Sequence, residues 1–256
     1  MSIPCVIHYC WFGGNPLPTD AVRCIESWRK HMPQCEIKLW NEHNFDVNIN
    51  SYTAEAYRLK KYAFVSDYAR MWILYNYGGI YFDTDVEVIA PLNDILARGP
   101  FMGLEAPQSS QDTPMVALGL GMACEAGNSL LKELLDIYEH LHMVSPLGKH
   151  GGTIVEITWP IIARHTAITH PDGTETRAGF TIYPPEYFCP LNYYTRQMTI
   201  TEHTHTIHHY AATWVNGSDS ITNKLKRRMR GIWARWATKC TKMLKNKKKS
   251  PQFIEY

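Results

Sequence analysis

The sequence has no C-x-x-C pair, no run of 18 uninterrupted apolar residues, no internal repeat and no low-complexity segment apart from KNKKKS near its end. The absent pair excludes the usual structural zinc sites, and the absent apolar run excludes an ordinary membrane-spanning helix. MSIPCVIHYCWFGG opens the chain without a basic n-region, so neither secretion nor a membrane span is expected. Seven cysteines at positions 5, 10, 24, 35, 124, 189 and 240 form an odd, scattered set. That pattern predicts reduced thiols in a cytosolic compartment, not a disulfide framework.

Net charge is also nearly absent, at +2, but its distribution is lopsided. Residues 224–256 carry twelve Lys and Arg against Glu255 alone, whereas the first 223 residues hold 14 basic and 23 acidic side chains. A basic segment on an acidic body predicts a partner of its own, an anionic surface or nucleic acid. Leu225, Met229, Ile232, Trp233, Trp236, Cys240, Met243 and Leu244 draw one apolar stripe at helical spacing, with Lys and Arg opposite. A helix of that composition lies in a membrane interface or packs its stripe on the protein's own body. The membrane reading, through residues 224–249, is preferred over nucleic acid because no recognised nucleic-acid module precedes the helix.

What is present is enough for one α/β core: 256 residues, 45% of them hydrophobic. CVIHYCWFGG predicts a strand ending in a Gly-Gly turn, TDAVRCIESWRKHMP a helix capped by Thr19 or Asp20, and CEIKLW a second strand. This is the opening of a β-α-β unit. YTAEAYRLKKYAFVSDYARMWILYNYGG is helical, in one piece or two, and stops at Gly78-Gly79. FMGLEAP and MVALGLGMAC read as strands, NSLLKELLDIYEHLHMV as an amphipathic helix capped by Asn128 or Ser129, and GFTIYPPEYFCPLN as an ordered loop. THTIHHYAATWVNGS closes the body with a short strand and a turn.

Two aspartates interrupt an apolar run in YGGIYFDTDVEVIAPL. A buried carboxylate needs a compensating partner, and on a strand Asp83 and Asp85 would face one side and converge on one cation. The plain alternative is a loop whose aspartates form Asx-turns. Sixteen residues earlier, Asp67 and Arg70 stand at i and i+3 on a helix crowded with Phe64, Val65, Tyr68, Met71, Trp72 and Leu74. A carboxylate and a guanidinium held near a metal suit a polyhydroxyl ligand or a phosphate.

Taken in order, IHYCWFGG, SWRKHMPQCEIKLWNE and KKYAFVSDYARMWILYNYGGIYFDTDVEVIAPL resemble glycosyltransferase family 32, the D-x-D group of fungal initiating mannosyltransferases and bacterial capsule enzymes. The catalytic domains of large clostridial glucosylating toxins share related motifs. The likeness covers about the first 95 residues and continues weakly through EITWP, FCPL and HHYAATW. It implies a GT-A fold, Rossmann-like and nucleotide-sugar-binding, in a single catalytic domain over residues 1–223, followed by the basic amphipathic helix and tail of 224–256. It implies an enzyme of the hexosyltransferase class with a UDP- or GDP-linked donor, a divalent cation (Mn²⁺ or Mg²⁺) and retention of configuration. By the same resemblance Asp85 is the main metal ligand, and Asp83 is shared between the metal and the donor. Asp67 and Arg70 hold the donor sugar, and Trp11 lies against the nucleobase.

An imidazole can complete a metal site, and one of His208 and His209 is expected there, with His209 preferred, the plain alternative being a hydrogen-bonded residue of a terminal strand; Trp214 is expected as a lid over the donor. Asp67, Arg70 and Asp83 are the candidate catalytic residues. Retention would proceed through a covalent intermediate or by a front-face route, with Glu105 and Asp112 in the region of an acceptor-side group. Two departures bear on the carry-over: Cys5 stands where relatives often carry Lys, and Trp159 where many have Gly. The expected function is transfer of a hexose or N-acetylhexosamine to a glycan or lipid-linked saccharide in surface polysaccharide synthesis, at the inner face of the cell membrane. Alternatives are a toxin-like transferase acting on a protein and a nucleotide-sugar-binding protein without turnover.

Overall fold

The computed structural model describes residues 2–107, 113–143, 153–193 and 195–211. Residues 212–256, with the expected tail helix and the boundary before Lys224, lie outside them. The chain runs β1 (Val6–Cys10), α1 (Thr19–His31), β2 (Glu36–Trp40), α2 (Ser51–Arg58), α3 (Tyr62–Tyr77), β3 (Gly79–Tyr81) and β4 (Val86–Val88). There follow α4 (Asn93–Ala97), β5 (Phe101–Glu105), β6 (Met115–Val116), β7 (Met122–Cys124), α5 (Ser129–Tyr138) and α6 (Ile154–Arg164). The last elements are β8 (Ile168–Thr169), β9 (Glu175–Arg177), β10 (Phe180–Tyr183), α7 (Pro185–Phe188) and β11 (Thr206–His208).

A mixed sheet in the order β2-β1-β3-β7-β5-β10-β9-β8, with β6 on the side of β5, forms the centre of this α/β fold. β1 is parallel to both β2 and β3, so the chain leaves β1 toward one neighbour and later returns to the other side. In open α/β sheets such a reversal opens a crevice at the carboxyl ends of the strands. Alternation along the strands then sorts the side chains. Ile7, Tyr9, Ile80 and Phe82 join one apolar cluster with Ile25 and Trp28 of α1. Cys10 and Tyr81 join the other, with Val65, Tyr68 and Leu74 of α3.

The expected long helix is two, broken at Leu59–Lys61, where Lys60 has φ 57°. α3 ends at Gly78, φ 65°, as the glycine pair predicts. Asn128 caps α5, accepting from the N–H groups of Leu130 and Leu131. At α1 the cap position is Pro18 and no side chain caps the helix, contrary to the assignment of Thr19 or Asp20. MVALGLGMAC makes two short strands around a glycine-bearing turn, and GFTIYPPEYFCPLN is not a loop but β10 and α7. β10 pairs antiparallel with its sequence neighbour β9 and in parallel with β5, the second a long-range contact that local composition does not carry.

The thiol expectation is overturned as well. Cys5 and Cys35 form a disulfide, their α-carbons 4.6 Å apart, where β1 and β2 begin side by side. The pairing is created by strand register: the Glu36 N–H donates to the Cys5 carbonyl. Cys10, Cys24, Cys124 and Cys189 are free and buried.

Candidate active site

Tyr81 is the last residue of β3, and two positions on, Asp83 leaves the sheet on the same side, facing α3. The Tyr81 hydroxyl donates to Asp83 Oδ1 at 3.0 Å. Arg70 reaches the same oxygen from α3 at 3.1 Å while its Nη2 also lies 3.0 Å from Asp67 Oδ1. Its Nε donates to the Ser66 carbonyl, so the guanidinium is fixed on three sides. One buried cation thus sits between two carboxylates. Burial pushes the Asp67 carboxyl up to about 7 against the pull of Arg70, and the Asp83 charge adds to the rise. Burial opposes the charge on Arg70, but Asp83, Tyr81 and Asp67 outweigh it and hold the guanidinium protonated.

Asp83, Thr84 and Asp85 do not continue the strand. They form a turn between β3 and β4, closed by the Val86 N–H donating to the Asp83 carbonyl. The turn nevertheless brings the carboxylates together, because β4 is pinned from two directions. Trp28 Nε1 donates to the Val86 carbonyl and the Val88 N–H donates to Ser27 Oγ, docking β4 on α1. On its other edge β4 pairs with β11, which sets His208 opposite Val86.

His208 Nε2 then lies 3.1 Å from Asp85 Oδ1, while the His209 ring turns to Glu87 Oε2 at 2.8 Å. The two histidines therefore exchange the places expected of them: the imidazole beside the aspartates is His208. Strand alternation separates adjacent rings, and the β4 register decides which one faces Asp85. Burial works to raise the Asp85 carboxyl, but the His208 charge and hydrogen bond and the Ala211 N–H hold it down at about 2. For His208, burial favours the neutral ring, and Asp85 reverses that and raises its pKa.

One ligand atom from each of Asp83, Asp85 and His208 lies within 4.8 Å of the others. Two carboxylates and one imidazole at that spacing fit a divalent cation, with oxygen donors for a hard ion and one nitrogen for a borderline one. Trp11 follows β1 at the same sheet end, its indole N–H donating to the Asn15 carbonyl beside the Gly13-Gly14 turn. Glu105 ends β5 and accepts from the Tyr210 hydroxyl. Trp214 and Asp112 lie outside the described residues. Three participants were missed in the sequence. Tyr81 was accessible from alternation, two residues before Asp83. Gly119 and Tyr210 had no local signal: a Cβ on Gly119 would meet Asp83, and the Tyr210 hydroxyl meets Cys189 and Glu105, 21 and 105 residues away in the chain.

Residues 18–102 match the family model described as the glycosyltransferase sugar-binding region containing a DXD motif. The chain is 28% identical over 112 residues to inositol phosphoceramide mannosyltransferase 1 of Schizosaccharomyces pombe, a match covering 40% of this chain and 34% of that protein. It is 24% identical over 164 residues to subversion of eukaryotic traffic protein A of Legionella pneumophila, covering 54% of this chain and 25% of that protein. It thus spans about a third or less of the length of these curated relatives. Among solved structures, the PaToxG glycosyltransferase aligns at TM-score 0.45 and 15% identity, covering 63% of this chain and 70% of that one. GlyE of Streptococcus pneumoniae TIGR4 aligns at 0.41 and 13%, covering 73% and 46%. Asp67, Arg70, Asp83 and Asp85 all lie inside the matched region, and the match supports a glycosyltransferase family 32-like protein.

Proposed function

We propose that the protein is a divalent-metal-dependent, retaining glycosyltransferase of GT-A fold, its catalytic domain spanning residues 1–223. It moves a hexose or N-acetylhexosamine from a UDP- or GDP-sugar to a glycan or lipid-linked saccharide in surface polysaccharide synthesis. The observation that carries this reading is the convergence of Asp83, Asp85 and His208 beside the Asp67–Arg70–Asp83 group, at the end of β1 and β3.

A cation held by those three residues supplies positive charge to a diphosphate leaving group. The imidazole in the set favours Mn²⁺ over Mg²⁺. Around it, Arg70 offers N–H donors to donor hydroxyls or phosphate oxygens, and Asp67 offers an acceptor. Trp11, by the family resemblance, takes the nucleobase. Residues 224–249 bring the enzyme to an anionic membrane surface, a reading supported by their sequence pattern. Among the described residues no helix is long and apolar enough to cross a membrane.

The test is release of nucleoside diphosphate from a panel of UDP- and GDP-sugars with Mn²⁺, Mg²⁺ or EDTA, comparing the wild type with Asp85→Asn. Metal-dependent turnover of one donor, lost in the variant, is expected. Donor binding without turnover, even with acceptor saccharides present, would move the protein to the binding class. A second reading is transfer to a protein acceptor of a eukaryotic cell, considered because one relative is named for subversion of eukaryotic traffic. Labelled sugar appearing on proteins of a eukaryotic lysate, and on no saccharide, would select it.

A further inference from the structure

Asp85 is met by one short segment through three separate atoms. His208 Nε2 stands 3.1 Å from Oδ1, the His209 N–H donates to the Asp85 carbonyl at 2.9 Å, and the Ala211 N–H donates to Oδ2 at 2.8 Å. The segment does not stay extended over this stretch: β11 ends at His208. Tyr210 breaks the extension. Its φ is 54°, in the left-handed region that a bulky L-residue enters only when its surroundings over-determine it.

Those surroundings are specific. The Tyr210 hydroxyl donates to Glu105 Oε1 at 2.9 Å and lies 3.0 Å from Cys189 Sγ. Its ring meets the His208 ring edge-on at 4.2 Å between centroids and packs against Tyr193 at 5.0 Å. A histidine that binds a metal usually has its second nitrogen fixed by a hydrogen bond, which sets the ring's orientation. His208 Nδ1 is buried and has no hydrogen-bond partner among the described residues. The ring is therefore oriented by Asp85 on one side and by the Tyr210 ring on the other.

We propose that Tyr210 is a positioning residue that holds the 208–211 segment closed on Asp85 and so sets the affinity of the site for a divalent cation. The inference rests on the metal-site reading above. Its test is isothermal titration of the full chain with Mn²⁺ alone, for the wild type, Tyr210→Ala and Tyr210→Phe. The alanine variant is expected to bind about 10- to 100-fold more weakly, the range seen when an outer partner of a metal ligand is removed. The phenylalanine variant keeps the ring over His208 but loses the tie to Glu105 and Cys189, and should fall between the two. At saturating Mn²⁺ its turnover should return to within about twofold of wild type. Mn²⁺ affinity unchanged in the phenylalanine variant, and unchanged in the alanine variant where circular dichroism shows it folded, overturns the proposal alone. A wild type that takes up no Mn²⁺ removes the metal site itself, and the proposal with it.

Discussion

Gly119 faces Asp83 so closely that a Cβ built on it would stand 1.8 Å from Asp83 Oδ2, while its carbonyl accepts the Asp83 N–H at 3.0 Å. The absence of a side chain at 119 is what lets the carboxylate occupy its place against Arg70 and Tyr81. Gly119→Ala is predicted to push the carboxylate out of register and to lower metal-dependent donor turnover by about 100-fold, the scale of a 1 Å misplacement. Steady-state kinetics beside a far-ultraviolet spectrum would check it. Full activity in the variant would show that Asp83 tolerates displacement.

Arg70 is buried between Asp67 and Asp83, and removing it strands two carboxylates. Arg70→Met should lower the unfolding free energy by about 3–5 kcal/mol, read from urea midpoints. Arg70→Lys should also fail to sustain turnover, because an ammonium has no planar fork with which to serve Asp67, Asp83 and the Ser66 carbonyl at once.

His8 lies inside the sheet, accepting from Trp40 Nε1 at Nδ1 and donating from Nε2 to the Gly78 carbonyl, at 3.1 and 3.0 Å. Burial lowers its pKa from 6.5 to about 4, partly offset by the Gly78 hydrogen bond. The folded state therefore binds fewer protons at this ring than the unfolded chain. Its contribution to stability is present in full above pH 6.5 and is lost as pH falls toward 4. The loss should reach about 3 kcal/mol. The difference in unfolding free energy between the wild type and His8→Gln, followed from pH 7.5 to 4.5, should shrink by most of that amount. A constant difference would contradict it.

The Cys5–Cys35 disulfide closes a sequence separation of 30 residues between the starts of β1 and β2. Loop-closure entropy gives it about 3–4 kcal/mol of stabilisation. Reduction, or Cys5→Ser, should lower the denaturation midpoint by a matching amount, with a 2 Da mass change on reduction of the wild type. An unchanged midpoint would mean that the strands hold their register unaided.

Much of the site could be read before any coordinates. Asp83 and Asp85 stand in an apolar run, where a carboxylate is costly, and Asp67 and Arg70 share a helix face by their i, i+3 spacing. Tyr81 was equally within reach of period-two reasoning. His208 was not, since choosing it over His209 requires the pairing of β11 with β4, and those strands are more than a hundred residues apart. The Cys5–Cys35 bond was hidden for the same reason: it depends on which distant strand lies alongside.

The sequence by itself determined the opening β-α-β unit, the glycine-terminated α3, the capped α5 and the residue types gathered at the sheet's crevice. These follow from short-range forces: periodic burial, capping and the backbone freedom of glycine. Only the tertiary structure decided that Asp83, Thr84 and Asp85 form a turn instead of a strand, that Gly119 makes room for Asp83, and that Tyr210 and His208 close on Asp85. Those outcomes depend on register and close approach between distant segments, and hydrophobic pattern constrains which face a strand buries without naming the strand that comes to lie beside it.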